Sequence, residues 1–238
     1  SARDEEWKST NVSRISPADL SVASAAEASG ASLPTLGLLA AHRVVLVNGR
    51  LSEDLSVDVD PDAVIVTSLA RAIEKHPDLV ETHLGTLAGR QGLPFAEWNT
   101  AEFRDGLFLF VPEGVRLHLP VHVHLVSTGA GGTVAHPRIL AVLGRGASAT
   151  VVESHSGVGG EERLTTVVSE FLVAEGARLE HVKVEDDRAG STHLATQVIR
   201  CDRDAFAATH HVSLGRGVAR TDLRAVLAGE GAECVMNG

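Results

Sequence analysis

One short pattern recurs five times in the second half of the chain: a turn residue, then Ala or Val, then alternating strand residues. It appears as Gly114-Val-Arg-Leu-His118, Gly146-Ala-Ser-Ala-Thr150, Gly176-Ala-Arg-Leu-Glu180, Asp204-Ala-Phe-Ala-Ala208 and Gly231-Ala-Glu-Cys-Val235, at spacings of 32, 30, 28 and 27 residues. Strand-like runs at 138–143, 169–174, 196–201 and 222–228 precede four of the turns. The unit is therefore strand, tight turn, strand, longer loop. A unit this small cannot bury its own apolar face, so it must stack on copies of itself, as in a solenoid. An antiparallel sandwich also shows many short strands and turns, but it has no reason to repeat a small residue at one place after each turn. A stacked corner does. Two strands per unit predict a mainly β fold, a two-sheeted parallel β-helix.

Upstream of Gly106 the pattern changes. Residues 1–15 are polar, and Ser16 to Pro34 is rich in Ser and Ala, as expected of a loosely held linker. Arg43 to Val47 reads as a strand, and Asn48-Gly49 is a hairpin turn signal. Ser68 is placed to cap a short helix over 69–76, which Pro77 interrupts. A second helix runs over 78–84, with Gly85 able to end it, and a third is expected from Pro94 to Phe103. The expected division is a mixed, mostly helical region over 1–105 and a β-helix core over 106–238.

Composition narrows the function classes. Apolar residues at 44% and charged residues at 22% give an ordinary folded chain. Only 3% are aromatic, with no Tyr and 23 Gly, which suits thin stacked layers better than one bulky centre. A net charge of -10 repels a phosphate backbone, and Arg216, Arg220 and Arg224 are interleaved with apolar and acidic residues, so no nucleic-acid partner is expected. Cys201 and Cys234 form no C-x-x-C pair, which favours a reducing, cytoplasmic setting. The apolar run over 43–48 is far too short to span a bilayer, and no membrane association is expected. The chain opens on Ser1 and its single Met is Met236, so it is expected to lack its natural start.

Three constellations could carry chemistry. His118, His122 and His124 alternate along one strand face, and an H-x-H pair on a strand suits zinc or iron. A cupin-like metal-dependent enzyme using His122 and His124 is the alternative this raises. Val121, Val123 and Leu125 take the opposite, core face, however, and no carboxylate follows within 126–129. The histidines are expected on a solvated face. The second constellation sets His210 and His211 near Cys201, Asp202 and Asp204; adjacent histidines point to opposite faces, so one at most could join a site. Cys234 and His210 remain as the metal candidates. The third is Ser154-His155-Ser156 with Gly157, Gly159 and Gly160. It has neither a nucleophile elbow nor a phosphate-loop lysine, and a loop next to Glu161 and Glu162 is expected there.

Several stretches, in order along the chain, resemble the SufB/SufD family. They are Asp4-Glu-Glu-Trp-Lys8, Asp105-Gly-Leu-Phe-Leu-Phe-Val-Pro-Glu-Gly-Val115, Ala135-His-Pro-Arg-Ile-Leu140 and Ala174-Glu-Gly-Ala-Arg-Leu-Glu-His181. Ser213-Leu-Gly-Arg-Gly-Val-Ala-Arg-Thr-Asp-Leu223 and Leu227-Ala-Gly-Glu-Gly-Ala-Glu-Cys-Val-Met-Asn-Gly238 are more specific, and with the N-terminal segment they lie nearer the SufD branch than the SufB branch. The resemblance implies a right-handed parallel β-helix behind a helical N-terminal region. It also implies a non-catalytic scaffold subunit of iron-sulfur cluster assembly, partnered by SufB-like subunits and a SufC-like ATPase. Family members continue beyond the position of Gly238, so a truncated core is expected, with most docking parts outside it and no cofactor held by this part. Gly176 and Arg220 match the motifs as turn and packing positions. An open last rung would also invite a homodimer through exposed strand edges.

Overall fold

The computed structural model describes residues 20–23, 41–56, 64–89, 93–128, 131–158, 162–187, 190–215 and 217–238. The opening Asp4–Lys8 motif, most of the expected linker, Arg216, Gly159, Gly160 and Glu161 lie outside them. The strands in chain order are β1 (Ser21–Val22), β2 (His42–Val47), β3 (Arg50–Leu51), β4 (Ile65–Ser68), β5 (Gly106–Val111), β6 (Val121–Ser127), β7 (Thr133–Ala135) and β8 (Arg138–Leu143). They continue as β9 (Ser148–Gly157), β10 (Arg163–Val173), β11 (Arg178–Asp186), β12 (Ser191–Cys201), β13 (Phe206–Ser213), β14 (Val218–Leu227) and β15 (Glu233–Asn237). Three short helices, α1 (Leu69–Lys75), α2 (Pro77–His83) and α3 (Pro94–Glu102), lie between β4 and β5.

These elements form a mainly β, solenoid-like β-helix of about four turns. Its first sheet stacks β5, β8, β10, β12 and β14 in parallel, with β7 and β1 continuing beside the start of β10 and β4 antiparallel to β5. The second runs β15-β13-β11-β9-β6-β2-β3, parallel throughout except for the β2–β3 hairpin. That hairpin turns at Asn48 and Gly49, with φ of 50° and 80°, the pair of positive values a two-residue turn needs.

The five repeated corners are the turns that join the sheets. Gly114, Gly146, Gly176, Asp204 and Gly231 all have positive φ, from 56° to 74°. In each, the following residue donates its N–H to the carbonyl three residues back: Val115 to Pro112, Ala147 to Gly144, Ala177 to Ala174, Ala205 to Asp202 and Ala232 to Gly229. This is a four-residue turn with a left-handed third position, which explains the glycines. Corners also bond to each other, Gly114 N–H to Arg145, Gly146 to Glu175, Gly176 to Arg203 and Asp204 to Glu230. Small residues are required next because Ala147, Ala177 and Ala205 are buried inside the coil. The second corner residues are Glu113, Arg145, Glu175, Arg203 and Glu230, so charge alternates up the stack. Arg145 meets Glu113 at 3.1 Å and Arg203 meets Glu175 at 2.7 Å.

The strands leading into the corners are longer than their sequence suggests. The runs expected at 169–174 and 196–201 belong to strands over 163–173 and 191–201, because β10 and β12 stay paired along their whole length. The helices fall where expected: Ser68 Oγ accepts the Arg71 N–H at 3.0 Å, and Gly85 follows α2 with φ of 75°. They cover the outer face of the first sheet. A buried ion pair, Arg138 to Glu170 at 2.6 Å, fixes them there. Glu170 accepts the backbone N–H groups of Gly85, Leu87 and Ala88, while Arg138 donates to Thr100 and Asn99.

Candidate functional site

The space between the two sheets is apolar at the corner end and polar at the loop end. Strands β9, β11 and β13 leave the corners with inward Ala149 and Val151, Leu179, and Ala207. They then turn Glu153 and His155, His181, Lys183 and Glu185, and Thr209 and His211 into the same interior, where Lys183 is 1% exposed and Glu153 and His181 are fully buried. From the facing sheet, Phe171, Ile199 and Cys201 close the apolar part, while Ser169, Gln197, His193 and Thr221 join the polar part.

Charges in this interior are paired on the spot. Glu153 accepts from His155 Nε2 at 2.6 Å and from His181 Nε2 at 3.3 Å, with Lys183 Nζ at 4.0 Å. Burial alone would raise its pKa, but the two histidine hydrogen bonds and the Lys183 charge hold the carboxyl well below the usual range. Lys183 Nζ reaches Glu185 at 2.9 Å, Thr221 at 3.3 Å and His193 Nε2 at 3.1 Å. An ammonium can only donate, so in this contact His193 Nε2 is the acceptor; the same Nε2 also lies 3.2 Å from Glu185 Oε1. Burial, followed by the charges of Lys183 and His155, keeps His193 neutral far below its usual range. His193 Nδ1 has no hydrogen-bond partner, and Asp187 Oδ2 lies 3.6 Å away. Burial raises the Asp187 pKa.

On the other side of Glu153, His181 Nδ1 meets Thr209 Oγ1 at 2.9 Å and Gln197 Nε2 at 3.3 Å. Gln197 Oε1 meets His211 Nε2 at 3.2 Å. A chain of exchangeable groups thus runs from His211 to His193, where a small pocket lined by Glu185, Asp187, His193 and Ser213 opens. The arrangement can relay protons along this chain of groups. The Lys183 amine is held by carboxylates.

The residues singled out in the sequence fare differently. His122 and His124 do face away from the core, but they are 2% and 3% exposed rather than solvated. Their rings stack at 5.8 Å, and their Nε2 atoms bond Ser154 Oγ at 2.7 Å and Ser156 Oγ at 2.8 Å. The solvated-face expectation is corrected: parity along a strand separates inside from outside, not buried from exposed. Burial, then the positive neighbours, lowers the His124 pKa to about 4. His118 is exposed and stands apart, because the chain bends at 118 and 119 before β6 begins. The loop expected at Ser154-His155-Ser156 is instead part of β9, held in register between β6 and β11.

Cys234 and His210 do not come together. Cys234 lies opposite Ala207 in the interior, whereas His210 points outward to Asn237 at 3.1 Å. Asp202 is taken by Arg200 at 2.9 Å. Among the described residues, no group of three or more His, Cys, Asp or Glu is placed to hold a metal ion. Residues that sequence reasoning passed over, Glu153 and Lys183 above all, were detectable. They and His211 are the seventh residue after consecutive corners, one polar column at a single inward position of the repeat.

Comparison with known proteins places this fold. The model of the SufBD protein N-terminal region matches residues 1–123, and the model of the SUF system FeS cluster assembly SufBD core domain matches residues 125–238. The chain belongs to the SufBD family. An iron-sulfur cluster assembly SufBD family protein of Synechocystis is 26% identical over 234 residues, covering 93% of this chain and 51% of that protein. A second Synechocystis protein of the same description is 30% identical over 130 residues, covering 54% of this chain and 27% of its own length. An Arabidopsis thaliana SufBD family protein is 28% identical over 124 residues, covering 52% and 26%. This SufBD chain therefore spans about half the length of the first of these relatives, and its matched stretches cover about a quarter of the other two. Among its described residues no helix is long and apolar enough to cross a membrane.

Proposed function

We propose that this chain serves iron-sulfur cluster assembly as a non-catalytic scaffold of SufD type, working with a SufB-like subunit and a SufC-like ATPase. The observation that carries this reading is the tandem match of both SufBD models, in order, along nearly the whole chain. The interior supports it. Its acids, bases and histidines are tied to one another, as expected of a stiff strut rather than a centre that turns over substrate. The SufD assignment rests on the motifs at Ser213–Leu223 and Leu227–Gly238.

The right-handed coil follows the near-universal sense of parallel crossovers, about 98% of cases. The division at residues 105 and 106 and a cytoplasmic setting belong to the same proposal. Strands β14 and β15 have no further neighbour among the described residues, and Leu214, Leu227 and Met236 are exposed. Affinity purification of the natural gene product tests the reading. SufB-like and SufC-like proteins are expected in the eluate at comparable amounts; their absence under gentle salt would overturn it.

A cupin-like enzyme using His122 and His124 has little support, since both Nε2 atoms are engaged by serine hydroxyls. Stoichiometric metal lost on replacing both histidines would restore it.

A further inference from the structure

His136 sits in the short joint between β7 and β8. It is 5% exposed, with the Trp98 ring edge-on to its own at 5.0 Å. Nδ1 meets Thr166 Oγ1 at 2.7 Å, and Nε2 is buried with no hydrogen-bond partner. The Thr166 hydroxyl has no other partner among the described residues. If it accepted from Nδ1, its own hydrogen would be stranded in the interior; donating to Nδ1 satisfies it. Burial keeps the ring neutral, lowering its pKa to about 4 against the pull of Glu102. The single ring proton therefore sits on Nε2, a buried N–H with nothing to donate to.

His136 lines a small recess together with Arg50, Arg104, Glu102 and the Asn48–Gly49 turn. The turn forms a wall because Gly49 lacks a side chain: a Cβ there would lie 3.2 Å from Pro137 N and Cα and 3.5 Å from the His136 carbonyl carbon. With Nδ1 engaged by Thr166, Nε2–H is the polar group that His136 has to offer. Arg50 is exposed, and its guanidinium has no partner among the described residues. Arg104 has only a loose, exposed pairing with Glu102 at 3.7 Å. Two guanidiniums against one carboxylate make this spot locally positive on a chain of net charge -10. We infer that the recess binds a small oxyanion of the phosphate or sulfate kind, which accepts from His136 Nε2–H and is held by Arg50 and Arg104. Water would take the N–H but leave both guanidiniums unused, whereas the guanidinium fork matches the oxygens of such anions. Glu102 is the opposing charge, and Arg104 must leave it for the anion. The inference is independent of the role in cluster assembly proposed above.

Trp98 supplies the readout, because its ring lies against His136. The purified 238-residue chain carrying Trp7→Phe, which leaves Trp98 as its single tryptophan, is titrated near neutral pH with sodium phosphate and separately with sodium sulfate. Sodium chloride holds the ionic strength constant, and titration calorimetry gives the stoichiometry. Expected is a saturable change in Trp98 fluorescence with one anion bound per chain. Arg50→Gln and Arg104→Gln, both at exposed side chains, should each weaken binding about tenfold, while Glu102→Gln should tighten it. His136→Phe should weaken binding further, and far-ultraviolet circular dichroism checks that each variant folds. A response that does not saturate, one that chloride alone reproduces, or binding that neither arginine variant weakens would each overturn the assignment.

Discussion

The two halves of the β-helix interior share the same strands and the same burial but are held together by different physics. Near the corners, Phe171, Leu179, Ile199 and the buried alanines pack by shape alone. At the loop end, Glu153, Lys183, Glu185 and three histidines, His155, His181 and His193, fill equally dry space by pairing charges and hydrogen bonds, with His211 half-buried at the margin. An apolar interior tolerates small errors of shape, because a nearby methyl group can shift to fill the gap. A buried charge network has no such slack: removing one member leaves the others desolvated and unpaired. The corner end should therefore give way gradually under substitution, and the loop end abruptly.

Replacing Glu153 with Ala breaks that contrast most strongly. It leaves the His155 and His181 N–H groups buried without their acceptor and Lys183 with Glu185 alone, and should cost about 3–5 kcal/mol, read as a lower urea midpoint. A loss below about 1 kcal/mol would show that the loop end is not a coupled network.

Acidification acts on the same half. His193 is held neutral far below its usual range, and burial with the nearby Lys183 and His181 charges puts His211 at about 4. The unfolded chain therefore takes up protons first, from about pH 6.5 downward. Stability should be fully present above about pH 6.5 and fall steadily towards pH 4, with Glu153 adding to the loss only in more acidic solution. Urea midpoints across this range measure it, and a flat profile from pH 7 to 5 would contradict neutral buried histidines.

At the corner end, Leu179→Met conserves volume and should cost less than about 1.5 kcal/mol. A loss as large as that of Glu153→Ala would erase the difference between the halves. The smallest effect is expected at Asp204, the one corner where a residue other than glycine holds positive φ. Asp204→Gly should raise the urea midpoint, by about 1 kcal/mol at most.

The corners were legible because a left-handed turn position and a small inward residue leave a local chemical mark, repeated at near-constant spacing. The short helices were legible through Ser68, Pro77 and Pro94, each of which acts on its own turn. The polar interior left a fainter mark. Each of its members looks like an ordinary solvated residue until the strands are laid side by side, and only then do Glu153, Lys183 and His211 fall into one column. The burial of His122 and His124 could not be read from strand parity, since parity says nothing about what lies over the outer face.

The alternating charges at Glu113, Arg145, Glu175, Arg203 and Glu230 bear on how such a coil can lengthen by duplication. Copying a single unit would set an acid against an acid or a base against a base, whereas copying two units keeps the signs in step. Each exposed pair is weak, so this is a bias and not a bar. It nevertheless makes the pair of turns, rather than the single turn, the unit in which this solenoid grows most easily.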